Sequence, residues 1–248
     1  MEKATNNYEL IRVGHGVPPI NIIYEDNHLL AAVKPTGIPA QQDRTKRPDL
    51  LNILKLYLKQ KYNKPGNVWL SLLHRLDQPV GGVMLFAKTT KAASRLSEQI
   101  RRREWDKYYL AVVEGTVTGS GEWEDYLSER KVDGKISLHP EGKLCRLAYE
   151  SIQILPEHNQ TLLRIRLITG RRHQIRVQAS SRNHPLIGDY LYGHGRASGA
   201  EAPALFAYKL EVDHPITKQR LTIEADPLYF LGKNYPFSNF KLVDLSAK

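Results

Sequence analysis

The chain has 248 residues, of which 41% are hydrophobic and 25% are charged, as is typical of a soluble globular protein with one large domain or two small ones. Its formal net charge of +10 favours a polyanionic partner, and a nucleic acid before a membrane, since no basic amphipathic helix with an aromatic face is evident. The single cysteine, Cys145, excludes an intrachain disulfide and a cysteine-based metal cluster, and the lack of a signal-like start or an apolar run near ~20 residues predicts a cytoplasmic protein.

The first part of the chain alternates short apolar runs with polar turns. Residues 1–19 are polar and contain several glycines and prolines, which predicts an extended N-terminal arm. The apolar runs at 20–24 and 29–33 flank a polar turn and predict a β-hairpin. Asp49 precedes leucines at helical spacing, so we expect it to cap a helix that extends to about Lys61.

A charged segment lies between two predicted buried strands, at residues 69–73 and 83–87. It carries titratable side chains, a stiffening proline and two glycines: His74, Arg75, Asp77, Pro79, Gly81 and Gly82. Charged groups held between core strands are costly unless something pairs with them or they line a site. The residues leave two interpretations open: a structural ion pair between Arg75 and Asp77, or a functional loop.

Thr89 or Thr90 is predicted to cap a second helix, in which apolar residues recur at helical spacing. Arg101, Arg102 and Arg103 crowd its C-terminal end. Cations at this position complement the helix dipole, which is a structural explanation for the triplet, whereas contact with phosphates is the functional alternative. The sequence is compatible with both.

Strands dominate the remainder of the chain, and they are predicted at residues 108–113, 146–155, 161–168, 205–212 and 219–224. In the strand at 161–168, apolar residues alternate with Arg164 and Arg166, which predicts a basic outer face. Because strands outnumber helices and short turns join most neighbours, we predict an α+β fold with a central, mostly antiparallel mixed sheet flanked by helices and loops.

Residues 169–178 form a second chemically rich segment. Six consecutive residues of this segment contain five side chains that can donate hydrogen bonds, namely Arg171, Arg172, His173, Gln174 and Arg176. This density suits a phosphate or an anionic side chain, although a solvated charged face is the ordinary explanation. Apolar neighbours place Arg176 close to the core, where a buried arginine needs a carboxylate, and Asp77 is the predicted partner.

Several classes of site are not supported. The histidines lack metal-ligand spacing, so we expect no metal. A phosphate loop ending in Lys-Ser or Lys-Thr and a serine nucleophile elbow are also missing, which argues against nucleotide triphosphate binding and against a serine-triad hydrolase.

Four ordered blocks resemble the RluA-type family of RNA pseudouridine synthases over roughly residues 20–227. They are Lys34-Pro35-x-Gly37, His74-Arg75-Leu76-Asp77, Lys107-x-Tyr109-x-Ala111, and Thr169 to Arg176 continued by residues 185–189. The chain departs from the family pattern where Val80-Gly81 replaces a usual Thr-Ser, and where Gln178 replaces a frequent histidine. Residues 1–19 leave no room for the RNA-binding S4 domain that precedes many members, so we expect a member without it.

The resemblance implies a single pseudouridine-synthase-type catalytic domain at residues 20–230, between an arm at 1–19 and a tail at 231–248. It implies that Asp77 is the nucleophile, that Tyr109 lies beside the base, and that Arg176 keeps Asp77 ionised and oriented. It assigns no cofactor, because the isomerisation needs none. Arg75 is expected to occupy the place of a flipped-out uridine. The implied RNA-binding residues are His74, Arg75, Arg101, Arg102, Arg103, Arg171, His173 and Gln174.

The expected partner is structured RNA, either ribosomal or transfer RNA, and we expect a monomer with no membrane association. Asp77 attacks either C1′ or the base. A non-catalytic RNA-binding or RNA-chaperone protein on the same scaffold is the alternative. It is disfavoured because binding alone requires no buried carboxylate.

Overall fold

A computed structural model describes residues 2–3, 8–14, 16–43, 47–130, 134–193, 202–231 and 236–240. Its strands are β1 (Glu2–Lys3), β2 (Glu9–Ile11), β3 (Ile20–Glu25), β4 (Leu29–Lys34), β5 (Ser71–Leu72), β6 (Gly81–Ala87), β7 (Asp106–Glu114), β8 (Ser120–Leu127), β9 (Lys143–Leu155), β10 (Gln160–Leu167), β11 (Leu205–Asp213) and β12 (Arg220–Glu224). Its α-helices are α1 (Leu50–Lys61), α2 (Thr90–Arg102), α3 (Gln174–Ser180) and α4 (Pro227–Leu231).

The chain forms two compact units. The first unit comprises Met1–Asp106 and Tyr208–Ala225, and the second comprises Lys107–Ala207 and Asp226–Lys248. The predicted α+β fold with a mostly antiparallel mixed sheet is confirmed, since the strand pairings described below are antiparallel except that of β1 with β12. The predicted division into an arm, one catalytic domain and a tail stays a prediction.

In the first unit, β2, β3, β4 and β6 pair in this order, and β5 pairs with Phe86 and Ala87 at the C-terminal end of β6. Strands β4 and β6 are buried along their whole length, as expected for strands covered on both faces. Strand β2 pairs with β3, and β1 pairs with β12, so parts of the predicted N-terminal arm contribute strands.

Local signals explain where the two long helices begin. The side chain of Asp49 accepts a hydrogen bond from Asn52 N–H at the start of α1, and Thr89 does the same for Ala92 at the start of α2. Both predicted caps are therefore confirmed. Helix α2 ends at Arg102 and is followed by Arg103, its C-cap, which adopts the left-handed conformation with φ 59°.

In the second unit, β7, β10, β9 and β8 pair in this order, and every pairing is antiparallel. Three elements here are not predicted from the sequence, namely β8, the seven-residue helix α3 and the short helix α4. The core of this unit is formed by apolar side chains of β7 and β10, and Leu110, Val112, Leu162 and Ile165 are fully buried.

Candidate active site

Asp77 lies in the turn between β5 and β6, in the first unit. Its carbonyl oxygen accepts a hydrogen bond from Val80 N–H at 3.0 Å, and the buried side chains of Leu76 and Val80 anchor the turn on either side of it. Asp77 is partly buried, whereas Arg75 is exposed. No ion pair joins Arg75 to Asp77 in the part of the chain that the structure describes.

A fully buried lysine supports this turn from the end of β4. Lys34 Nζ donates hydrogen bonds to three backbone carbonyl oxygens, those of Pro35 at 2.9 Å, Ile38 at 2.8 Å and Gln78 at 2.9 Å. Burial lowers the pKa of Lys34 to about 7, and the negative charge of Asp77 opposes this shift. The side chain therefore ties the Lys34-Pro35-x-Gly37 turn to the residue that follows Asp77.

The same two segments are also joined by a reciprocal pair of hydrogen bonds. Gly37 N–H donates to the carbonyl oxygen of Gln78 at 2.9 Å, and Gln78 Nε2 donates to the carbonyl oxygen of Gly37 at 2.9 Å. Gly37 has φ +82°, a conformation that favours glycine. The sequence contains one signal for this support, which is a lysine that ends an otherwise apolar strand.

His74 is held by the protein itself. Leu85 N–H donates to His74 Nε2 at 3.0 Å, so this nitrogen is an acceptor and the neutral ring carries its proton on Nδ1. The ring meets Trp105 edge to face, with 5.3 Å between centroids. His74 therefore fixes the start of the Asp77 turn to β6, and its predicted contact with RNA stays a prediction.

Tyr109 lies on β7, near the start of the second unit. It is opposite Ile165 of β10 and is buried, with 8% of its surface exposed. Because side chains alternate along a strand, Tyr109 and Tyr108 point to opposite faces of the sheet, so only one of the two can occupy the predicted position beside the base. Its catalytic role stays a prediction.

Gln174 is the organising residue of the segment between β10 and α3. Its Oε1 accepts hydrogen bonds from Thr169 Oγ1 at 2.8 Å and from Arg171 N–H at 3.0 Å. Its Nε2 donates to the carbonyl oxygen of Arg146 at 3.0 Å and to Gln178 Oε1 at 3.1 Å. With 2% of its surface exposed, Gln174 shapes this loop from inside, while Arg171 and Arg172 are exposed beside it.

Gln178 connects α3 to β8. Its Nε2 donates to Asp125 Oδ2 at 2.7 Å and to the carbonyl oxygen of Trp123 at 3.2 Å. Since an amide both donates and accepts, Gln178 continues the network that begins at Gln174. This is a structural reason for glutamine at a position where the resembling family often has histidine.

Arg176 is paired with Asp189 deep inside the second unit. Arg176 Nε and Nη2 each donate to one carboxylate oxygen of Asp189 at 2.7 Å, and the two side chains are 2% and 0% exposed. The guanidinium carbon lies 5.1 Å from the centroid of the Tyr192 ring. The prediction that Arg176 is buried with a carboxylate is confirmed, and one such carboxylate is Asp189, which the sequence pattern does not identify. The pairing of Arg176 with Asp77 stays a prediction.

Tyr192 connects the Arg176 helix to a neighbouring loop. Its hydroxyl group lies 2.6 Å from His173 Nδ1 and accepts a hydrogen bond from Ile136 N–H at 2.8 Å. His173 itself adopts the left-handed conformation immediately before α3 and is 9% exposed. Like Gln174, this predicted RNA-binding residue is largely engaged within the protein.

Two of the predicted phosphate-binding arginines have acidic partners on the surface, and so does one arginine of the predicted basic strand face. Arg101 and Arg102 both pair with Glu98 on α2, and Arg164 pairs with Glu150. In the described residues Arg75, Arg103 and Arg172 are exposed without an ion pair. Positive charge available to an RNA is therefore concentrated in fewer residues than the sequence suggests.

The pattern that defines the RNA pseudouridylate synthase family matches residues 28–181, which is more than half of the chain. The chain belongs to this family. A ribosomal large subunit pseudouridine synthase D from Yersinia pestis is 36% identical over 215 residues, covering 80% of this chain and 64% of that protein. One from Zymomonas mobilis is 31% identical over 240 residues, covering 90% and 74%.

Solved structures show the same pseudouridylate synthase fold. Human RNA pseudouridylate synthase domain containing 4 superposes with a TM-score of 0.70 at 22% identity, covering 85% of this chain and 90% of that one. Human RNA pseudouridylate synthase domain containing 1 has a TM-score of 0.68 at 21% identity, covering 84% of each chain. The chain spans about two thirds of the length of the Yersinia relative. Among the described residues, no helix has the length and apolar character needed to cross a membrane.

Proposed function

We propose that this chain is an RNA pseudouridine synthase, an isomerase that converts specific uridines in structured RNA to pseudouridine. The observation that carries the proposal is Asp77 in the His74-Arg75-Leu76-Asp77 block of a pseudouridylate synthase family member, on a turn braced by Lys34. A turn held in this way presents a carboxylate in one geometry, as a nucleophile requires. The relatives' name suggests large-subunit ribosomal RNA as the first substrate to test.

The reaction breaks the N1–C1′ bond of uridine, turns the base, and joins C5 to C1′. The proton on C5 is lost and N1 gains one, so atoms and electrons balance without an oxidant, a reductant or an energy source. Asp77 acts as the nucleophile, at C1′ or at the base, and Arg176 stabilises its ionised form. Tyr109 provides a flat apolar face beside the base, and Arg75, which is exposed, fills the place of the flipped nucleotide.

The same proposal extends to the partner, the compartment and the oligomeric state of the protein. RNA is the partner, the cytoplasm is the compartment and the monomer is the working form. Exposed arginines such as Arg172 contact phosphates.

The decisive experiment compares the parent with Asp77→Asn on an unmodified large-subunit ribosomal RNA transcript, and pseudouridine is mapped by carbodiimide modification and primer extension. Asparagine keeps the size of the side chain but removes its nucleophilic charge, so we expect pseudouridine formation to fall below detection while RNA affinity is unchanged. Asp226→Asn is the matched control, because Asp226 caps α4 through Leu228 N–H and asparagine caps equally well. Pseudouridine formation by Asp77→Asn near the parent rate would refute the proposal.

A further inference from the structure

Lys107, at the start of the second unit, is a partly buried lysine that none of the roles above uses. Burial lowers the pKa of its ammonium group below the ordinary value for lysine, and no neighbouring acidic group opposes the shift. In the part of the chain that the structure describes, the side chain of Lys107 makes no hydrogen bond and no ion pair. A cation that loses water without gaining a partner is costly, and an anion arriving from outside removes that cost.

The position of Lys107 on β7 relates it to Tyr109. Side chains alternate along a strand, so residues two apart point to the same face, and Lys107 and Tyr109 share one face while Tyr108 points to the other. Their Cα atoms are separated by about 7 Å, since each strand residue adds about 3.4 Å. The ammonium group therefore belongs to the face that carries the tyrosine of the proposed active site.

Gly170 lies close to the amine of Lys107. A Cβ atom added at Gly170 would lie 3.2 Å from Lys107 Nζ, tighter than most real contacts. The backbone at Gly170 does not adopt a positive φ, so the turn itself does not require glycine there. A side chain at Gly170 would therefore require the lysine amine to shift by a few tenths of an ångström, so the glycine leaves the amine its present position. The two residues that follow, Arg171 and Arg172, are exposed cations.

We propose that Lys107 binds a phosphodiester group of the substrate RNA beside Gly170, with Arg171 and Arg172 as its outer contacts. The inference rests on the proposed function and deepens it, because it names a further substrate-binding residue on the face that carries Tyr109. A phosphate is the anion that RNA supplies in every nucleotide, and a lysine serves it as a compact point charge. The phosphate gives the ammonium group of Lys107 a partner that the protein does not provide.

The first test uses the unaltered protein, so it does not depend on a variant that folds. Lysines are acetylated briefly with and without a saturating large-subunit ribosomal RNA transcript, and the extent of labelling at each lysine is read by mass spectrometry. We expect the RNA to reduce labelling of Lys107 several-fold. Lys91, which is exposed at the first turn of α2, is the reference and should label equally in both samples. Equal labelling of Lys107 with and without RNA would overturn the inference.

The second test measures how RNA affinity depends on salt. Lys107→Met should lower the slope of log Kd against log salt by about 0.7–0.9, which is the value for one phosphate contact, while Lys107→Arg should keep the slope. Gly170→Ala should weaken binding by displacing the amine, and Lys91→Met removes the same charge elsewhere and should leave the slope unaltered. A Lys107→Met slope equal to the parent's contradicts the inference.

The two proposals fail separately. A parent protein that binds the transcript but forms no pseudouridine refutes the proposed function, whereas an active parent whose Lys107 is neither protected nor needed for the salt dependence refutes the phosphate contact alone.

Discussion

At the scale of single residues, the pairing of Arg176 with Asp189 is a buried ion pair that the sequence pattern does not identify. The carboxylate receives four donors, because Leu191 N–H and Tyr192 N–H donate to Asp189 Oδ1 in addition to the two guanidinium bonds. Both carboxylate oxygens of Asp189 therefore accept hydrogen bonds, and the Nε–Nη2 edge of the guanidinium group donates two. A buried ion pair is tolerated when its polar atoms are hydrogen-bonded in this way. We infer that Asp189 holds the Arg176 side chain in a single orientation.

Asp189→Asn should be strongly destabilising, because it removes the charge of one member of a buried ion pair and replaces a carboxylate that accepts four hydrogen bonds. We expect the free energy of unfolding to fall by about 3–5 kcal/mol, measured by urea titration. Glu150→Gln is the control, since it breaks the exposed pair with Arg164 and should cost about 1 kcal/mol or less. Equal losses in the two variants would show that Asp189 and Arg176 behave as a surface pair.

At the scale of secondary-structure elements, Glu25 joins three elements of the first unit. It lies at the end of β3, and its carboxylate accepts hydrogen bonds from Lys61 at 2.9 Å and Tyr62 at 2.8 Å, at the end of α1. It also accepts one from Lys88 at 2.6 Å, just after β6. Burial acts to raise the pKa of Glu25, but the donors outweigh it and lower the pKa to about 2.

This lowered pKa makes stability depend on pH in a defined window. A carboxyl group that holds its proton less tightly in the folded state contributes its full stabilisation above its unfolded pKa, near 4.5, and loses it as the pH falls towards 2. Between pH 5 and pH 2, the free energy of unfolding should fall by about 1–2 kcal/mol less in Glu25→Gln than in the parent protein. This figure allows for solvent screening of the charges.

Urea titrations of both proteins across this range provide the measurement. Asp26, whose pKa is also lowered, remains in both proteins, so the difference between the two curves reports on Glu25. Parallel curves for the parent and Glu25→Gln would rule out this role for the carboxylate.

At the scale of the whole molecule, the net charge of +10 is not uniformly available to a ligand. Surface arginines such as Arg102 and Arg164 are engaged with glutamates, whereas Arg172 is exposed without an ion pair among the described residues. An arginine that already neutralises a carboxylate releases fewer counterions from RNA. Local pairing, rather than net charge, therefore determines which cations contribute to binding.

RNA affinity should accordingly fall steeply with salt, and individual arginines should contribute unequally. Arg172→Gln is expected to reduce the slope of log Kd against log salt by about 0.7–0.9 without abolishing pseudouridine formation. Arg164→Gln, at a paired position, should leave the slope close to that of the parent. Fluorescence anisotropy with a labelled ribosomal RNA transcript at several salt concentrations measures the slope for each variant. Identical slopes for Arg172→Gln and Arg164→Gln would refute the unequal contribution of the two arginines.

Elements with strong local signals are those that the sequence predicts correctly. The hairpin of β3 and β4, helix α1 with its Asp49 cap and helix α2 with its Thr89 cap all agree with apolar periodicity and capping. Strand β8 is not predicted, because Gly119 and Gly121 indicate a loop and its outward positions are acidic. Helix α3 is too short for its period to be recognised, and the strand predicted at 69–73 is reduced to Ser71–Leu72.

The sequence by itself determined the fold class, the family and the identity of the candidate catalytic residues, because apolar spacing and ordered motifs are written locally in the chain. Only the tertiary structure decided the partners of the buried polar groups. Lys34 reaches the carbonyl oxygen of Gln78, 44 positions away, and Arg176 reaches Asp189, 13 positions away. A buried donor must find an acceptor wherever folding brings one within about 3 Å, and no local pattern records that distance.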